Sequence, residues 1–360
     1  MSMSFDRNQP YNDLPLLPPA IELETKAVLK QAIAANRVLA NLRGLAAKIP
    51  NQGLLINSII LQEARLSSEI ENIVTTNDEL YRAAANRDGK TDPHTKEVLR
   101  YREALYHGFH SLKDRPLNTN LFIELVRLIK QVDIGIRAIP GTALKSDRGE
   151  VIYTPPVGEQ VIRDKLANLE QFIHAEDELD PLVKMAVMHY QFEAIHPFPD
   201  GNGRTGRILN LLYLVEQQLL DIPVLFLSRY IIANRQEYYA GLRGITEAQQ
   251  WEPWVLFMLR AVESTAQQTF EQVNRILSLM EEVRERVQRE AEAIYSKDLV
   301  ELIFMQPYTK IGFLVDAGIA KRQTASRYLQ TLATMGILRE EQVGREKYYI
   351  NDALFAELTR

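Results

Sequence analysis

Apolar residues recur at intervals of three and four along most of the chain, the spacing of helices that each bury one face. That rhythm predicts helices near residues 21–42, 54–73, 93–112, 121–131, 161–174, 181–195, 204–220 and 228–242. From 253 to 295 it persists through Val255, Met258, Val262, Phe270, Val273, Leu277, Met280, Val283 and Val287, so one or two long connecting helices are expected there. Residues 11–19 carry several prolines and read as an extended arm. The rhythm breaks at 141–154. Strand-forming residues flank Ser146-Asp147-Arg148-Gly149, and Val151-Ile152-Tyr153-Thr154 runs into two prolines, which predicts a small β-hairpin. Past residue 298 the pattern changes again. Short helices at 298–305, 310–317 and 321–334, then strands at 337–341 and 347–351, make a winged helix-turn-helix. The expected fold is therefore mainly α, with N-terminal helices, a helical core bearing the hairpin, and a C-terminal winged module.

Composition narrows the function classes. The chain has 360 residues, 46% of them hydrophobic, enough for more than one packed domain. Four regions are expected: 1–92, 93–259, 260–297 and 298–360. A net charge of −5 argues against wholesale electrostatic binding to nucleic acid or anionic membrane. There is no cysteine, which excludes disulfides and thiolate chemistry. No signal-peptide pattern or spanning apolar run is seen, so a cytoplasmic protein with no membrane partner is expected. In the winged module, acidic and basic residues balance. Lys321, Arg322 and Arg327 give helix 321–334 a basic side, but the wing mixes signs. Contact with DNA through this helix is kept open and is not favoured over a protein-interaction or homodimer role.

The candidate chemistry lies in His196-Pro197-Phe198-Pro199-Asp200-Gly201-Asn202-Gly203-Arg204-Thr205-Gly206-Arg207. Gly201, Asn202 and Gly203 let successive backbone N–H groups turn inward, and the helix that follows points its positive end at the same spot. Arg204 and Arg207 are three apart and project from one face of its first turn, where each can clamp phosphate oxygens. Asp200 is placed to hold Mg²⁺ against those phosphates. His196, with an ordinary pKa near about 6.5, suits removal of a proton from an attacking hydroxyl. Gly201, Gly203 and Gly206 also fit the dinucleotide spacing, but a helix and loop precede them rather than a strand. His107 and His110 are i,i+3 with no third ligand in view, so a solvated or packing role is expected for them. The residues themselves point to moving a phosphate-linked group, without saying which.

These twelve residues resemble the Fic family signature, HPFx(D/E)GNGRxxR, at every specified position, and the resemblance extends over roughly residues 95–259 as a Fic-type helical core. It implies a protein adenylyltransferase that moves AMP from ATP, with Mg²⁺, to a hydroxyl side chain of a target protein or of itself. By the same resemblance His196 is the base, Asp200 the metal ligand, and Gly201, Asn202, Gly203, Arg204, Thr205 and Gly206 belong to the nucleotide site. Arg207 meets the γ-phosphate. The resemblance further implies that hairpin residues Lys145, Val151, Ile152, Tyr153 and Thr154 form a flap that aligns a target segment as an added strand. Tyr238 and Tyr239 resemble the residues flanking the adenine. Ser67-Ser68-Glu69-Ile70-Glu71-Asn72 resembles the family's inhibitory pattern (S/T)xxxE(G/N), with Ser67, Glu71 and Asn72 at its fixed positions. Ser67 and Glu71 are i,i+4 and share a helix face, so Glu71 can occupy the guanidinium of Arg207. Three competing readings stand beside this one: a DNA-binding regulator with a nucleotide-sensing core, an enzyme using another donor, and removal of AMP.

Overall fold

The computed structural model describes residues 5–47, 49, 52–86, 91–146 and 148–360. Asp147, in the expected hairpin turn, lies outside them. An arm at 5–25 leads into α1 (Lys26–Ala46), followed by α2 (Gly53–Ile70) and α3 (Asn77–Ala85). Next come α4 (Pro93–Ser111), α5 (Thr119–Lys130) and a hairpin of β1 (Leu144–Lys145) and β2 (Val151–Tyr153). Then follow α6 (Glu159–His174), α7 (Pro181–Ile195), α8 (Asn202–Glu216), α9 (Leu227–Ala233), α10 (Arg235–Ala248) and α11 (Trp251–Glu290). The C-terminal module holds α12 (Lys297–Met305), β3 (Tyr308–Thr309), α13 (Ile311–Asp316), α14 (Arg322–Thr334), β4 (Arg339–Val343), β5 (Glu346–Ile350) and α15 (Asp352–Thr359). Its strands form a three-stranded antiparallel sheet in the order β3-β5-β4.

The core forms around α7 and α8, which are buried nearly all round and pack on each other. A helix buried on every side needs neighbours all round. Here α4, α5, α6 and α11 supply the enclosure, and α1 runs beside α11. Trp254 of α11 is fully buried, donates its indole N–H to the Ala186 carbonyl at 2.8 Å, and stacks on His189. The site loop, 196–201, joins these two central helices.

Several boundaries differ from those the rhythm predicts. α1 starts at Lys26, not 21, because the Thr25 hydroxyl accepts from the Val28 N–H and caps it there. α8 begins two residues early. The helix expected at 228–242 is two, broken at Asn234. The segment expected as one or two helices is a single 40-residue α11, roughly 60 Å long. The rhythm gives no sign of α3, β3 or α15. For α3 another signal was legible: Thr76 and Glu79 form a capping box, in which the Thr76 hydroxyl accepts from the Glu79 N–H and the Glu79 carboxylate accepts from the Thr76 N–H. Thr76→Ala should lower stability by about 1 kcal/mol, read as a shifted denaturant midpoint at unchanged slope. An unshifted midpoint would mean that α3 is held by packing alone.

The C-terminal module grips the N-terminal helices. α12 and α15 pack on α2, and the Ser58 hydroxyl donates to the Met305 carbonyl at 3.0 Å. On α3, Asp78 accepts from the Tyr308 hydroxyl and Arg82 pairs with Glu341 of β4. No helix among the described residues is long and apolar enough to cross a membrane.

Candidate active site

His196 caps α7 in the left-handed conformation, φ 49° and ψ 58°, a strained choice for a residue with a Cβ. Arg137 holds the loop in this state. Its guanidinium donates to the carbonyls of His196 (2.6 Å), Pro156 (2.7 Å) and Ile195 (3.2 Å), and its own N–H donates to the Pro197 carbonyl. Asn202 completes the clamp by donating to the Phe198 carbonyl and accepting from the Phe198 N–H. The Asn202 side chain is thereby spent on the loop, and only its backbone is free for the cradle. Sequence patterning missed Arg137, which lies 59 residues from His196 and carries no motif of its own. Arg137→Ala strips three buried carbonyls of a charged donor. It should cost about 2–3 kcal/mol of stability and loosen His196, lowering turnover roughly tenfold or more. A variant with wild-type turnover would show that α7 alone fixes the imidazole.

His196 Nδ1 is buried, faces the Glu193 carbonyl and has no partner within hydrogen-bonding geometry. Burial, with the Arg137 guanidinium behind it, lowers the imidazole pKa to about 4, against smaller upward pulls from Glu71 and Asp200. The ring is therefore neutral at physiological pH and able to accept a proton.

α8 starts at Asn202 with Gly201 before it at φ 83°, a conformation open to glycine. Beside Gly203 sits the Glu71 carboxylate, so close that a Cβ there would collide with Glu71 Oε1. Glu71 thus lies against the cradle itself as well as beside an arginine. Arg207 is buried and donates to Glu71 Oε1 at 2.8 Å, to the Ser67 hydroxyl at 2.8 Å and to the Ser67 carbonyl at 2.8 Å. Burial alone would raise the Glu71 pKa, but Arg207 overrides it and holds the carboxyl below its ordinary value.

α2 ends at Ile70, not at 73, so Glu71 sits on the cap rather than within the helix. The ending is a Schellman motif. Asn72 adopts φ 60°, its N–H donates to the Glu69 carbonyl, and the Ile73 N–H donates to the Ser68 carbonyl. Asparagine tolerates that left-handed position, so Asn72 stops the helix where Glu71 faces α8. Arg207 on Ser67 and Arg235 on the Ile70 carbonyl place positive charge at the helix's negative end. Farther back on α2, buried Glu63 accepts from the N–H and hydroxyl of Ser228, and its pKa is pushed up to about 7 by burial.

A cavity of about 1000 Å³ opens beside these groups. His196, Gly203, Arg207 and Glu71 line it, together with the hairpin residues Lys145, Ile152 and Tyr153 and the α10 residues Tyr238 and Tyr239. The remaining motif residues are placed differently. Thr205 and Gly206 are buried, with Gly206 against Glu193. Arg204 pairs with Glu97 at 2.5 Å, and Asp200 with Lys130 at 2.6 Å. The Tyr238 hydroxyl is bonded to His189 at 2.8 Å within the core, whereas Tyr239 is 40% exposed on the cavity wall. Tyr153 is nearly buried and donates to the Ala194 carbonyl, anchoring the hairpin to α7. Val151 and Thr154 do not line the cavity, and Thr154 instead bonds the N-terminal arm at Arg7 and Tyr11. Glu193 was also missed. It lies one turn before His196 and lines the cavity, with one carboxyl oxygen unpartnered and its pKa raised to about 7, chiefly by burial. His107 and His110 sit on the surface, bonded to Glu124 and to the Tyr106 carbonyl.

Comparison with known proteins gives three family models in tandem. Residues 29–110 match the Fic/DOC family N-terminal model, residues 116–214 the Fic/DOC family, and residues 279–354 the C-terminal domain of SoFic-like protein adenylyltransferases. A probable protein adenylyltransferase of Aquifex aeolicus is 36% identical over 95 residues, 26% of this chain and 27% of that protein. The protein adenylyltransferase fic-1 of Caenorhabditis elegans is 30% identical over 114 residues, 31% of this chain and 21% of that protein. The chain thus spans between about a fifth and a third of the length of the curated relatives it matches. A crystal structure of a Fic family protein from Desulfovibrio desulfuricans superposes with a TM-score of 0.60 at 18% identity, covering 92% of this chain and 98% of the other. That likeness concerns the fold.

Proposed function

The chain belongs to the Fic/DOC family, and we propose that it is a protein adenylyltransferase held in a restrained state by Glu71. One observation carries the reading: a neutral imidazole at His196 and a buried guanidinium at Arg207 face a single cavity, with the N-terminus of α8 between them. In the proposed reaction His196 takes the proton of a target hydroxyl. The hydroxyl oxygen bonds to the α-phosphorus of ATP, the bond to the β-phosphate bridge breaks, and pyrophosphate leaves. The N–H groups at the start of α8 and the two arginines, once freed of Glu71 and Glu97, bind the phosphate chain. Tyr239 offers an aromatic face for the base. Lys145 and Ile152 of the hairpin border the cavity where a target strand would align.

Mg²⁺ fits this donor set. Asp200 offers one carboxylate, 63% exposed, beside the phosphate cradle, and Mg²⁺ ordinarily takes one or two carboxylates and completes its shell with phosphate and water. Bound there with the nucleotide, it would neutralise phosphate charge. The C-terminal module is read as a clamp on α2 and α3, since β4 is tied up by Arg82; the DNA reading gains no support from this arrangement.

The test is covalent transfer of label from ATP labelled on the α-phosphate, in wild type and in Glu71→Gly, with cell lysate as the source of target. Label only from another donor, or in no variant, would overturn the proposal. The pH profile follows from His196. Only the neutral ring accepts a proton, and burial lowers its pKa to about 4, so the rate should stay level as pH falls from 8 to about 5.5. Removing Glu71 takes away a nearby anion and lowers that pKa further, so Glu71→Gly should show the same plateau. A rate that halves near pH 6.5 would mean that the base is solvated.

A further inference from the structure

Lys130, the last residue of α5, reaches the loop before α8. Its ammonium lies 2.6 Å from Asp200 Oδ2 and 2.9 Å from Glu97 Oε1, and Glu97 Oε1 also takes Arg204 at 2.5 Å. The other Asp200 oxygen accepts from the Gly201 N–H at 2.6 Å. Both oxygens of the carboxylate assigned to the cation are therefore already engaged. Two acids and two bases alternate through the cluster, so its formal charge is zero. Lys130 and Glu97 are largely screened from water, 22% and 18% exposed, where charge imbalance costs more than at an open surface.

An ammonium and a divalent cation compete for the same lone pairs. A bare divalent ion entering this cluster would either add two uncompensated charges or have to expel Lys130. The same ion arriving on a triphosphate brings its own anions, so its charge is compensated and only the Lys130–Asp200 contact has to yield. We propose that Lys130 is the resident counter-ion of Asp200 and couples cation binding to nucleotide, so that the divalent ion enters only as its nucleotide complex. Glu97 gives the displaced ammonium a place to remain. Lys130 is thus a positioning residue acting through Asp200, an inference that rests on the proposed role of Asp200.

The test uses the full chain and Mn²⁺ as probe, without nucleotide, measuring free Mn²⁺ by electron paramagnetic resonance. Lys130→Met should tighten Mn²⁺ binding at least tenfold over wild type. Adding Asp200→Asn should abolish the gain, which assigns it to that carboxylate. Arg204 keeps Glu97 paired in Lys130→Met, and Lys130→Gln, which can still hydrogen-bond both acids, serves as a second variant should the first unfold. Equal Mn²⁺ affinity in wild type and in the folded variant would overturn the inference, as would a gain that survives Asp200→Asn. No turnover is measured, so this failure and a failure of AMP transfer are read separately.

Discussion

Glu71→Gly should raise AMP transfer roughly 10- to 100-fold over wild type, a coupling of about 1.4–2.7 kcal/mol. In the proposed restraint Glu71 acts in two ways. It engages the Arg207 guanidinium at 2.8 Å, and its carboxylate occupies the space over Gly203. A triphosphate entering the cavity meets an anion where it needs a cation, so its end is displaced and the α-phosphate falls out of line. The estimate stops near 100-fold because the Glu71 side chain is 37% exposed, and solvent screening trims what the pair can contribute. The fold should survive the change. Arg207 keeps both bonds to Ser67, and glycine at the helix cap is tolerated. The readout is initial rate of label incorporation. An unchanged rate with an unchanged melting temperature would show that Glu71 serves α2 and not the site.

His196→Ala, placed in the Glu71→Gly background, should lower kcat by about 10²–10⁴ while leaving KM for ATP within a few-fold. In the proposed reaction the imidazole is the base offered to a hydroxyl, and burial, which lowers its pKa to about 4, favours the neutral form that this role needs. Its Nδ1 faces only the Glu193 carbonyl of its own helix, so truncation leaves the loop held by Arg137 and Asn202. A loss confined to kcat assigns chemistry to His196. A parallel collapse of ATP binding would instead assign it to the nucleotide pocket.

The periodicity of apolar positions was enough to locate most helices, because each buries one face against a common core. It failed where elements are short or where a local cap sets the boundary. The rhythm placed α7 at its observed bounds, whereas α8 starts two residues before the expected 204 and ends at Glu216 rather than 220. α3 and β3 are short and owe their places to contacts with each other and with α4 and β5. The inhibitory pattern was legible as residue types, but its reading as one helix face was incomplete. Asn72 ends the helix, and the cap geometry delivers Glu71 to both Arg207 and Gly203.

The twelve-residue motif pointed by itself to the handling of a phosphate-linked group, because the required groups are close in sequence and their geometry is local. The tertiary structure alone decided what each group faces. Arg137, Lys130, Glu97 and Glu193 come from separate helices and loops and bear no mutual spacing. Their charges act through space, over a few ångströms of partly dehydrated interior. Which arginine meets which acid, and which nitrogen is left neutral, is therefore a property of packing.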